Sequence, residues 1–258
     1  MHTWDWQIWN DLPFLTCSLL EPWKHGFFTQ QFAPRTPFEL TEVLTPEAQA
    51  FRLQQVHGNA VLTPTELANP DARSDFAPGD GLVTDRSQQA VWVCSADCTP
   101  ALIGDVKTGQ VSAIHAGWRG TAQKIIPVAI ARLCDQGSQL NDLRVALGPA
   151  IAGSVYQVSH TVALEVGQTI SPLSPDAPPE DNLAHLMQLP NSPVLADDQP
   201  GRAKLDVRRV NAIQVEQLGI APEHITIAPH CTFQDSINFF SFRREKLKRA
   251  QWSGIVSR

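Results

Sequence analysis

A chain of 258 residues with 20 Lys and Arg against 26 Asp and Glu carries a formal net charge of −6, and 43% of its positions are apolar. This composition suits a globular protein of one large domain or two small ones, and either could bury a core of useful size. No apolar run approaches the roughly 18 residues that cross a bilayer, the first residues lack a basic stretch followed by an apolar one, and no Lys- or Arg-rich run offsets the acidic balance. Membrane, secretory and nucleic-acid partners are therefore not expected.

Cysteine usage points the same way. Cys17, Cys94, Cys98, Cys134 and Cys231 are odd in number, which argues against a disulfide framework and for free thiols in the cytoplasm. Most such thiols are small buried hydrophobes.

In chain order, 20 prolines and 15 glycines punctuate short apolar runs, the mark of many strands joined by tight turns. Residues 91–94, 100–104 and 111–114 read as three strands, the last two forming a hairpin. Apolar residues recur at helical spacing over 121–134, with Gly137 just beyond. Residues 143–147 read as a strand, 158–170 and 206–218 as helices, and 225–228 as a strand. Between them, 171–200 is rich in Pro and Asp without a sustained period, so a flexible surface excursion is expected there. Helices and strands mix without strict alternation, which favours a single α+β layered domain over residues 1–258.

Three short segments place reactive side chains beside glycines: Gln55-Val56-His57-Gly58, Ser95-Ala96-Asp97-Cys98-Thr99-Pro100, and Ile114-His115-Ala116-Gly117-Trp118-Arg119-Gly120. Their spacing matches no zinc finger. Cys98 falls in a corner after one strand and His115 at the end of another, so the hairpin can bring both to one sheet edge. Two imidazoles and a thiolate would hold Zn²⁺ with its fourth position open, as in a catalytic site. The same trio could instead be a Cys98 nucleophile with a histidine base. The plain alternatives are a loop histidine at 57 and a glycine-rich strand-to-helix turn around His115.

These segments sit within a longer set: QVHG at 55–58, GDGLVT at 79–84, CSADCTPALIGD at 94–105, IHAGWRGTA at 114–122, LGPAIAG at 147–153 and PHCTFQDSINFFSFRRE at 229–245. In this order across most of the chain, they make the sequence similar to the bacterial YfiH family. That family is also called the polyphenol oxidase or laccase-domain family and the peptidoglycan editing factor family. The resemblance implies a single α+β sandwich and a zinc site of His57, Cys98 and His115. It also implies a purine nucleoside enzyme that phosphorolyses adenosine, inosine and methylthioadenosine and deaminates adenosine. Copper-dependent phenol oxidation is the older assignment.

Phosphorolysis needs an anion site, and Arg119, Arg243 and Arg244 are the candidate phosphate clamps, because guanidinium offers paired donors. Asp80, between two glycines, is expected to meet a sugar hydroxyl or the base. The zinc deaminase pattern of His-x-Glu with Pro-Cys-x-x-Cys is absent, so deamination would need another scaffold, with Asp97 shuttling the proton. Three other readings remain open: a Cys98–His115 hydrolase or amidase acting on cell-wall precursors, a copper phenol oxidase, and a metal-stabilised binding module without turnover. Eight His, only 2 Met and no His-x-His pair disfavour oxidation, and Cu²⁺ in this N/S site is expected to be adventitious.

Overall fold

The computed structural model describes residues 2–69 and 74–258. Two six-stranded mixed sheets lie face to face. The first runs β1 (Trp4–Trp9), β2 (Leu12–Cys17), β3 (His25–Phe28), β15 (Gln251–Val256), β7 (Gln89–Ser95) and β4 (Gln49–Arg52). The second runs β14 (Ile225–Ile227), β10 (Leu143–Leu147), β8 (Thr99–Asp105), β9 (Val111–Ala116), β6 (Gly81–Val83) and β5 (Val61–Leu62). Alternation along each strand divides the apolar residues between two layers. Val91 and Val93 of β7 meet Val111 and Ala113 of β9 in the core between the sheets. Ala90 and Trp92 point outward with Phe28, Phe32 and Leu40 under α1 (Pro37–Leu44), and Ile114 and Ala116 point outward into a helical layer.

That layer is α3 (Ile125–Asp135) and α6 (Val207–Gln217), which bury Ile126, Ala129, Leu133 and Val215 against Ile103 and Val145 of the sheet. Each Ile, Leu or Val among them contributes roughly 1.5–3 kcal/mol on burial. The order helix, sheet, sheet, helix is the expected α+β sandwich. The helix expected over 121–134 is interrupted: α2 (Trp118–Ala122) ends and α3 begins around Lys124, which stands at φ +57°.

A smaller third sheet joins β11 (Gln157–Ser159), β13 (Arg202–Leu205) and β12 (Val194–Ala196), and packs with α4 (His160–Gly167) and α5 (Pro179–Met187) around Val158, Val166, Leu186 and Leu205. Residues 158–170 therefore begin in β11 before turning helical. The stretch 171–200 is not a structureless excursion, since it contributes α5 and β12 to this core. Only Leu183 and Leu186 of α5 are buried, too few in nine residues to show a period. A last helix, α7 (Phe242–Glu245), is capped by the Ser241 hydroxyl, which accepts from the Arg244 N–H at 3.2 Å.

Candidate metal and active site

The 55–58 loop hangs on the end of β7. Gln55 donates its side-chain amide to the Cys94 carbonyl and accepts from the Cys94 N–H, both at 2.7 Å. The loop is then wrapped around one carboxylate, because Asp80 accepts the N–H groups of Val56 at 3.1 Å, His57 at 2.9 Å and Gly58 at 2.8 Å. His57 takes a left-handed φ of +62° and presents an exposed ring. Such strain in a non-glycine residue persists where surrounding bonds over-determine it, often at functional sites.

Asp80 also sets the second histidine. Its carbonyl accepts the His115 N–H at 2.7 Å and its Oδ1 accepts from His115 Nδ1 at 2.8 Å, which leaves Nε2 as the ring nitrogen turned to Cys98. Cys98 comes from the corner between β7 and β8. There Asp97 stands at φ +89°, and its carbonyl accepts the Ile151 N–H at 3.0 Å. The ligand atoms of His57, Cys98 and His115 all lie within 4.8 Å of one another, and the two imidazoles meet edge to face with centroids 4.8 Å apart. Among the described residues, no other group of His, Cys, Asp and Glu is gathered closely enough to hold a metal ion. Gly117 supplies the room, since a Cβ on it would sit 2.9 Å from the Cys98 sulfur and 3.5 Å from His57 Cδ2.

Burial by itself would disfavour a charge on either Cys98 or His115. The His115 charge and the hydrogen bonds from both imidazoles outweigh it and hold the thiol well below its ordinary value. The thiolate and Asp80 in turn hold His115 above its ordinary value, against burial. For Asp80, too, burial alone would raise the carboxyl, but the His115 and Gly58 hydrogen bonds keep it below the carboxylate range. Two imidazoles and a thiolate, one imidazole oriented by a carboxylate, suit Zn²⁺ or Cu²⁺ and leave coordination positions open.

The other expected residues take different places. Asp80 is fully buried, and its carboxylate is committed to the 55–58 loop and His115, where the expected place was beside a sugar hydroxyl or the base. The Asp97 carboxylate accepts from the Thr232 hydroxyl at 2.7 Å and the Arg243 N–H at 2.6 Å, which occupies both oxygens and ties the Cys98 corner to α7. Arg244 donates to the carbonyls of Thr232, Phe233 and Phe239 and to Glu245, so its guanidinium is spent inside the fold. Arg119 is exposed and stacks over Trp118 at 4.4 Å. Arg243 lies over the Tyr156 ring at 4.8 Å and donates to the Gln157 carbonyl at 3.0 Å. Sequence reasoning gave Gln55 no role, read Gly117 only as part of a glycine-rich turn, and passed over Tyr156. The signal for the last is that it is the single tyrosine of the chain, three residues after the LGPAIAG segment.

Residues 39–257 match the family described as multi-copper polyphenol oxidoreductase laccase. The chain belongs to that family. It is 52% identical over 256 residues, 98% of this chain and 97% of the relative, to a purine nucleoside phosphorylase of Synechocystis sp.. It is also 28% identical over 165 residues, 64% of this chain and 56% of the relative, to an adenosine deaminase of an unknown prokaryotic organism. The fold is that of the crystal structure of YlmD from Geobacillus stearothermophilus, with a TM-score of 0.78 and 25% identity over 98% of each chain. No helix among the described residues is long and apolar enough to cross a membrane.

Proposed function

We propose that the protein is a zinc-dependent purine nucleoside enzyme that phosphorolyses adenosine, inosine and methylthioadenosine to the free base and the sugar 1-phosphate, and that also deaminates adenosine. The observation that carries this reading is the open His57–Cys98–His115 cluster, with its buried Asp80 brace, in a chain 52% identical to a purine nucleoside phosphorylase. Five free thiols fit a reducing cytoplasm.

In phosphorolysis the glycosidic C–N bond breaks, its electron pair leaves on the purine nitrogen, and a phosphate oxygen bonds to the anomeric carbon. The chain's part is to place the anion and hold the metal ligands. Arg119 and Arg243 are the phosphate donors in this reading, because both keep guanidinium N–H groups free of any carboxylate among the described residues. Asp97 acts as a positioning residue that fixes the Cys98 corner and the backbone of Arg243. Zinc bound to the trio would supply a water of lowered pKa suited to deamination. Cu²⁺ would occupy the same donors adventitiously.

A second reading draws on one specific geometry. Cys98, His115 and Asp80 form a thiolate–imidazole–carboxylate chain, the arrangement of a cysteine hydrolase or amidase. The test is purine release from adenosine with and without phosphate, using protein of measured metal content. Phosphate-dependent release by zinc-loaded protein supports phosphorolysis. Amide hydrolysis that survives complete zinc removal would replace it with the hydrolase.

A further inference from the structure

Tyr156 sits between a short 3-10 turn and β11, and its backbone is fixed because its carbonyl accepts the Leu205 N–H at 3.1 Å. Its ring packs at the edge of the third core, as does Trp118, the residue on which Arg119 stacks. One face of the ring is covered by the guanidinium of Arg243, a residue whose backbone N–H is held by the carboxylate of Asp97, next to Cys98. Tyr156 is thus linked through Arg243 to the Cys98 corner.

The hydroxyl is the exception. It makes no hydrogen bond to the described protein, and because the residue is only partly buried the group stays accessible and open to a ligand. Burial, followed by the Cys98 charge, pushes the phenol up to about 12, so it stays protonated and can donate. Arg119 and Arg243 lie close enough to oppose that rise electrostatically, and the nearby Asp97 has both oxygens committed. Of the charged groups that act on the phenol, the Arg119 and Arg243 guanidiniums keep N–H groups without a carboxylate partner among the described residues.

We propose that Tyr156 is a phosphate-binding residue, donating its hydroxyl to the phosphate that Arg119 and Arg243 hold. This rests on the phosphorolysis reading above. The neutral donor suits a tetrahedral anion that must be held and released, since it adds direction without a third positive charge.

The experiment is Tyr156→Phe, which keeps the ring, its packing and the arginine stack. With phosphate varied at saturating inosine, the phosphate KM should rise about tenfold or more, as expected for a lost hydrogen bond to a charged group. The inosine KM should move less than twofold. In parallel, thermal unfolding is followed while inorganic phosphate is titrated. The phosphate-induced rise in Tm should shift to at least tenfold higher phosphate in the variant, with Tm in the absence of phosphate and metal content unchanged. Unchanged phosphate dependence in both measurements, or a rise confined to the inosine KM, overturns the assignment. If wild-type protein releases no base with phosphate, the phosphorolysis reading fails and the unfolding titration alone decides whether Tyr156 contacts the anion.

Discussion

Asp80 and His115 are joined twice, backbone to backbone at 2.7 Å and carboxylate to ring at 2.8 Å, and the same carboxylate gathers three N–H groups of the His57 loop. One buried side chain therefore sets the orientation of both histidines. Asp80→Asn keeps the shape but turns an amide N–H₂ toward groups that donate. Metal affinity should fall roughly 10–100-fold, and each orphaned donor should cost about 1–3 kcal/mol of stability. Competition with a chromogenic chelator reads the first effect and urea unfolding the second. Wild-type affinity in the variant would remove Asp80 from the ligand-positioning set.

Gly117→Ala tests the crowding at the cluster. Gly117 has φ −70°, which alanine adopts without strain, so the only new feature is a methyl 2.9 Å from the Cys98 sulfur. Metal content and turnover should fall while far-UV circular dichroism stays native. Unaltered metal content would mean that the corner can yield without cost.

The two cysteines that flank the β7–β8 corner should behave differently. Cys94 shares the outer face of Ala90 and Trp92, and burial pushes its thiol up to about 11. Cys94→Ala should keep metal and activity at a cost of roughly 1–2 kcal/mol. Cys98→Ala should abolish turnover and weaken metal binding. In metal-free protein at neutral pH, Cys98 should react with a thiol reagent much faster than Cys94, and zinc should shield it. Equal rates with and without zinc would point to the cysteine hydrolase.

Arg119→Ala should raise the phosphate KM roughly ten- to a hundredfold, the effect of one lost charge-assisted contact, with a much smaller change for the nucleoside. Initial rates over a grid of both substrates measure it. Equal effects on both would show that Trp118 and the start of α2 had moved instead.

Acid stability should depend on His25, far from the cluster in sequence. Its Nε2 accepts the Cys17 N–H at 2.9 Å and its Nδ1–H donates to the Trp23 carbonyl at 3.0 Å, so the folded ring is neutral. Burial lowers its pKa to about 4. Because the unfolded chain protonates this ring near pH 6.5, the contribution is fully present above that pH. It is lost as pH falls from about 6.5 to about 4, a change of about 3 kcal/mol. Urea unfolding at pH 7, 5.5 and 4.5 should show that slope in wild type and a flatter one in His25→Gln.

Local chemistry made much of this protein legible from sequence. The β8–β9 hairpin, the helical periods of α3 and α6, and the glycine-flanked segments bearing His57, Cys98 and His115 are short-range patterns, and short-range patterns survive in a string of residues. Three-dimensional structure decided what depends on distant partners. The C-terminal strand β15 enters the middle of the first sheet between β3 and β7, where Gly254 leaves room for Trp92, and nothing near residue 254 announces that neighbour. α5 and β12 were hidden because their few buried residues find apolar partners only in β13 and α4. The same holds for side-chain roles. An acidic residue between glycines, an arginine pair and a single tyrosine each offered a reactive group to the sequence. Hydrogen bonds across long separations turned Asp80 into a brace, and the folding of residues 232–245 back on themselves consumed Arg244.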